Sequence, residues 1–152
     1  MKPMSVAPRP RATAAHCEAV NRAAHDAVMR VSHVDLNDAH GLMVARGVVA
    51  TTDHPDIVRT FARGGRLIAL RATHGWVCPR FQIDHFDPNE AHNIIADINQ
   101  QLDAGRFPES ATSWWTVPSE SLPGHPAPAD LLGSDHDALR QLATAYAAGP
   151  NL

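Results

Sequence analysis

The chain has 152 residues, enough for one real hydrophobic core or two very small ones, and its apolar share of 44% excludes wholesale disorder. No run approaches the roughly 20 apolar residues that a membrane helix needs, so no membrane partner is expected. The net charge of −3 conceals a division: residues 1–83 carry 11 Lys/Arg and 6 Asp/Glu (+5), residues 84–152 carry 2 and 10 (−8), and the first part tolerates a polyanion that the second repels.

Residues 1–12 are Pro-rich and aperiodic and read as a flexible tail. No apolar run follows Lys2, Arg9 and Arg11, so this is not a signal peptide. Cys17 and Cys78 lie far apart without metal-ligand spacing and read as free, fairly buried thiols of a protein in the reducing cytoplasm. From about Thr13 to Val31, apolar residues recur at Val20, Ala24, Val28 and Val31, one face of an Ala-rich helix. Ser32, three residues before Asp35, has the form of a capping box and opens a second helix that ends at Gly47. Thr52 or Asp53 can cap a third helix, with Pro55 in its first turn. That helix carries Ile57, Val58 and Phe61 and stops at Gly64-Gly65.

The pattern then changes. Arg66 to Arg71 is strand-like, Thr73-His74-Gly75 turn-like, and Trp76-Val77-Cys78 strand-like again: a β-hairpin directly after a helix. Asp87-Pro88-Asn89-Glu90 predicts the next helix start, from which Ile94, Ile95, Ile98 and Leu102 are buried, with an end at Gly105. Short helices follow over Pro108 to Trp115, Pro128 to Leu132, and Asp135 to about Ala148. The expected protein is mainly α with a small β-hairpin: a tail (1–12), a helical-plus-hairpin part (13–83), and an all-helical module (84–152).

The run from Trp114-Trp115 through Pro118 to Leu122-Pro123-Gly124, followed by Pro128-Ala129-Asp130-Leu131-Leu132, resembles the toxin-binding domain of Xre/MbcA/ParS-type antitoxins. That domain reads as tryptophan, two residues, proline, then Leu-x-Gly, Pro-x-Asp-Leu-Leu and a final helix. Pro79-Arg80-Phe81-Gln82-Ile83 is similar to the Phe-Gln that often precedes it. The likeness covers roughly residues 79–148, and the segment from Gly124 to Pro128 is one residue longer than the pattern. In physical terms the motif is mostly a fold signature. Trp115 supplies a buried anchor, Pro118 stops a helix, Gly124 permits a tight turn where a side chain would clash, Asp130 ties down nearby backbone, and Leu131 and Leu132 return to the core.

The resemblance implies an antitoxin that binds a RES-domain, NAD-degrading toxin and covers its cofactor pocket with the C-terminal region. Carried onto this chain, the binding surface would be Arg140, Tyr146, Asn151 and Leu152, and the protein would act as a homodimer within a larger complex. Arg140 as a solvated charge and Tyr146 as a half-buried aromatic fit the residues equally well.

Antitoxins of this kind often repress their own operon, and residues 48–83 have the look of a degenerate winged helix-turn-helix. The helix offers Arg59 and Arg63 to operator DNA, and the hairpin offers Arg66 and Arg71. The segment Gly47 to Thr52, however, reads as extended rather than as a short turn between two helices. Asp53 and Asp56 at the helix start would also repel phosphate. A structural use of these arginines, on a solvated face or paired with the acidic half, fits better than DNA contact. A stand-alone winged-helix regulator, with the C-terminal part serving dimerisation, is the rival reading.

No enzymatic chemistry or cofactor is expected. There is no Gly-x-Ser-x-Gly elbow, P-loop, dinucleotide fingerprint or His-Glu-x-x-His motif. Of the ten histidines, His85 and His92 lie nearest to acids (Asp84, Asp87, Glu90), but not at the three- or four-residue spacing of a helical zinc pair, so no metal is assigned. Cys78, between Val77 and Pro79, reads as core. Adjacent residues on a helix point about 100° apart, so at most one ring of Trp114-Trp115 can be exposed.

Overall fold

The computed structural model describes residues 22–23 and 25–149, which divide into two compact units, one up to Arg30 and one from Val31 onward. In the first, residues 22–23 and 25–29 are helical and Val28 is buried, as the helix expected over 13–31 requires. Val20, Ala24 and Cys17 lie outside the described residues, as do the tail at 1–12 and both Asn151 and Leu152.

The second unit begins with a strand that the sequence does not announce. Strand β1 (His33–Asp35) is too short for alternation to show, and it exists because it pairs antiparallel with the later hairpin. Helix α1 (Leu36–Ala45) follows at once, capped by Asp35, whose Oδ1 accepts the Asp38 N–H at 2.7 Å; Ser32 is not the cap. The helix ends as expected at Gly47 (φ 76°). The Gly47 N–H reaches Val44 O (2.9 Å) and the Val48 N–H reaches Met43 O (3.1 Å), the paired closure in which a left-handed residue satisfies the last carbonyls.

Residues 46–55 form a chain of turns rather than the extended segment expected there. Helix α2 (Asp56–Arg63) starts without a side-chain cap. Asp53 instead accepts from Ala50 N (3.0 Å), and the His54 ring accepts from Asp56 N (3.1 Å). Val58 and Phe61 are buried, and Gly65 (φ 73°) closes the helix as Gly47 closes α1.

The strand expected over 66–71 forms only as β2 (Leu70–Ala72), which turns through Thr73-His74 into β3 (Gly75–Pro79). Ahead of β2 the backbone bonds to side chains instead: Ile68 N–H donates to Gln82 Oε1 (2.9 Å), and Gln82 Nε2 donates back to Ile68 O (2.7 Å). The sheet order is β1-β3-β2, all antiparallel, with Val34 opposite Cys78 and Arg71 opposite Trp76.

A single turn, α3 (Arg80–Ile83), places Gln82 and Ile83 in the core. Arg46 Nη1 donates to the carbonyls of Ile83 (2.8 Å) and Phe86 (2.7 Å), tying the end of α1 to the far side of the hairpin. Helix α4 (Ile94–Gln101) begins six residues later than Asp87-Pro88 suggested. Asp87 caps only a turn, accepting from Asn89 N. Asn93 is the true cap, accepting from Ala96 N (3.3 Å) while its Nδ2 holds Asp87 O (2.8 Å). Its buried face, Ile94, Ile95, Ile98 and the following Leu102, is the one expected, but the closing residue is Asp103 (φ 56°) rather than Gly105.

Helix α5 (Pro108–Thr116) stops before Pro118. Pro128–Leu131 is a 3-10 turn, and helix α6 (His136–Ala147) is capped by Asp135, which accepts from Ala138 N (3.0 Å). Helix α6 packs on α4, and the 3-10 turn packs against both α5 and α6. Residues 31–149 thus make a mainly helical unit with one small sheet. Packing runs through residue 83 without a gap: Asn89 Nδ2 donates to Val48 O (3.1 Å), and Asn99 Nδ2 donates to Arg66 O (3.0 Å). No helix of the described residues is long and apolar enough to cross a membrane.

Candidate functional site

Trp115 is fully buried, and its indole Nε1 donates to Asn99 Oδ1 at 2.8 Å. The Asn99 amide donates in turn to Arg66 O and Gln82 Oε1 (3.3 Å), and Gln82 grips Ile68. One chain of side-chain amides therefore runs from α5 through α4 and α3 to the segment before β2. Phe81 and Trp114 flank the buried indole, with ring centroids 5.5 and 5.0 Å away and Trp114 edge-on. A buried Trp N–H, an Asn and a Gln are costly without partners; here each is satisfied.

The rest of the signature segment behaves mainly as a fold element. Leu122, Pro128 and Leu132 are buried, and Pro118 follows the end of α5. Asp130 Oδ2 accepts from Ala127 N (3.1 Å), the backbone tie expected of it. Gly124 is required by its φ of 79° and not by crowding, since nothing lies within 4 Å of where a Cβ would sit. Leu131 departs from expectation: it is only half-buried, because a short 3-10 turn cannot aim two successive side chains into one core.

On α6, Leu139 and Ala143 face the core while Tyr146 stands 53% exposed. Arg140 is not a free surface charge. Its Nη1 meets Asp97 Oδ2 on α4 at 2.9 Å, both side chains being 37% exposed.

The four arginines considered for DNA do not share one environment. Arg66 is half-buried over two phenylalanines tilted against each other, 5.4 Å from the Phe61 centroid and 5.7 Å from that of Phe86. Arg71 lies over Trp76 at 5.4 Å. Arg59 and Arg63 line a cleft between α2, the hairpin and the chain at 104–108.

Cys78 is buried on β3, and desolvation pushes its thiol from 9.0 to about 12, the environment of a core residue rather than a nucleophile. His85 has its pKa lowered chiefly by desolvation. Arg46 and His136 add to the lowering, and Asp84 opposes it. Among the described residues, no group of three or more His, Cys, Asp or Glu is placed to hold a metal ion.

Gln82 and Asn99 are the residues whose role the sequence pattern misses. The available signal is Asn99 itself, a polar residue directly after Ile98 on the buried side of an Ile-rich helix. No protein-family model, curated protein or solved structure matches the chain.

Proposed function

We propose that this protein is a non-enzymatic, cytoplasmic antitoxin that neutralises a RES-domain, NAD-degrading toxin by direct binding, working as a homodimer in the complex. The observation that carries the reading is the run Trp115, Pro118, Leu122, Gly124, Pro128, Asp130, Leu131, Leu132. The buried members and the turn-forming members hold a compact segment against which α6 packs, with Tyr146 on its outer face. Of the two described contact candidates on α6, Tyr146 is the one left exposed, and an aromatic of this kind is a typical anchor of protein interfaces. Arg140 serves in this reading through its tie to Asp97, which fixes α6 on α4. The test is co-expression with a RES-domain toxin. Restored growth, restored NAD and co-purification are expected, and toxicity unchanged by co-expression would overturn the reading.

A second reading has its own support. Helices α1 and α2 followed by a β2-β3 hairpin, with a strand before α1 completing a sheet of order β1-β3-β2, is the order of elements in a winged helix. In that reading α2 presents Arg59 and Arg63 to operator DNA, with Arg71 on the hairpin, and the protein is a transcriptional regulator whose C-terminal part dimerises. A gel shift on the upstream DNA across a salt series separates the two. Specific binding with a steep salt slope and no co-purifying toxin favours the regulator.

A further inference from the structure

The cleft beside α2 encloses about 290 Å³. Leu36, Ala62, Ala69, Trp76 and Pro108 give it apolar walls, and among the described residues its charged side chains are Arg59 and Arg63. These two are four residues apart on α2 and so lie on one helix face, where like charges repel. Among the described residues, neither has an ion-pair or hydrogen-bond partner and no acidic side chain lines the cleft. Two uncompensated guanidinium groups over an apolar floor fit an occupant with one anionic end and one flat apolar body.

Size narrows the class. Ligand pockets span roughly 300 to 1,000 Å³, so this cleft is at the small end and suits one or two rings rather than a dinucleotide. A bare phosphate backbone would leave the indole and the alanines unused. The geometry points to a binding site for a small aromatic carboxylate, its carboxylate held by Arg59 and Arg63 through charge-assisted hydrogen bonds and its ring laid against Trp76. The site is independent of the surface on α6, so it stands or falls apart from toxin binding.

The experiment titrates 2-naphthoate into the full chain and follows the tryptophan indole N–H signals by 15N-correlated NMR, with Trp76→Phe assigning the Trp76 signal. A saturable shift of the Trp76 signal is expected, with the signal of buried Trp115 unmoved. The Arg59→Gln, Arg63→Gln double variant, whose unchanged remaining spectrum reports an intact fold, should bind at least about tenfold more weakly, as should 2-naphthylmethanol with the wild type. Three results overturn the proposal: no saturation at the solubility limit of the probe, equal binding of the alcohol (a greasy groove only), or displacement by inorganic phosphate (a simple anion patch). If the double variant loses its fold, Trp76→Ala and the alcohol comparison carry the same test.

Discussion

Trp115 and Asn99, on different helices, meet through a 2.8 Å hydrogen bond closed off from solvent, and the further partners of the Asn99 side chain lie on segments earlier in the chain. The asparagine is therefore the joint at which α5 is fixed to the hairpin end of the protein. Replacing it with an apolar residue of similar size leaves the indole N–H, part of the Gln82 amide and the Arg66 carbonyl without partners. Each orphaned buried group costs about 1–3 kcal/mol. Asn99→Leu should accordingly destabilise the fold by roughly 2–4 kcal/mol, read as a lower urea midpoint. A midpoint within error of wild type would show that the network carries no stability. In a double-mutant cycle, Asn99→Leu and Gln82→Leu should couple by about 0.5–3 kcal/mol, because both act on one network.

Much of this frame is legible in sequence, and the misses have a common cause. Gly47 and Gly65 are required by local backbone conformation, and Val58, Phe61, Ile95 and Ile98 follow helical periodicity, so all of them can be read from neighbours alone. Strand β1, the bonds made by Ile68 and the late start of α4 depend on partners distant in the chain, which periodicity cannot register. Asp87-Pro88 is a sound helix start in isolation. It loses to Asn93, whose amide satisfies both Ala96 N–H and Asp87 O. Of the candidate contact residues, Tyr146 is placed where a surface reading puts it, whereas Arg140 and Arg66 are engaged within the fold by residues the sequence does not mark as partners.

Arg140 and Tyr146 should separate folding from partner binding. The Arg140–Asp97 pair is partly exposed, and such pairs contribute about 0–1 kcal/mol. Arg140→Ala should therefore lower the melting temperature only slightly. Under the proposed antitoxin function, Tyr146→Ala should leave folding unchanged and weaken capture of a RES-domain toxin by at least about tenfold, as loss of an interface anchor does. Toxin capture undiminished in Tyr146→Ala would remove α6 from the interface.

Asp135 caps the helix that carries Tyr146. Asp135→Ala removes the acceptor for the Ala138 N–H and should cost about 1 kcal/mol. Hydrogen exchange should rise in the first turn of α6 while the protection of α4 is retained. Uniform loss of protection across both helices would mean that α6 does not open on its own.

Cys78 gives a pH signature. The thiol is neutral in the fold up to about 12 but ionises from about 9 in the unfolded chain, so between these values the native state holds the extra proton. Stability must then fall as pH rises through that window, by as much as about 1.4 kcal/mol per unit from this group. Below pH 9 the group contributes no slope. Denaturant midpoints of wild type and Cys78→Ala, compared from pH 8 to 10.5, should converge as pH rises; parallel curves would show that Cys78 is not shielded.

The amide of Gln82 also bears on how much of one edge of the sheet, the β2 side, another molecule can reach. Strand β2 is at the rim of the three-stranded sheet, the place where an extended segment from another chain can dock by its own backbone. Because the N–H and carbonyl of Ile68 are already occupied by a glutamine from the same chain, the open rim is limited to Leu70–Ala72. Substituting Gln82 therefore does more than loosen a core. It leaves the buried N–H and carbonyl of Ile68 without partners beside that rim, so that any opening of the core there links loss of one side-chain amide to aggregation through an added strand.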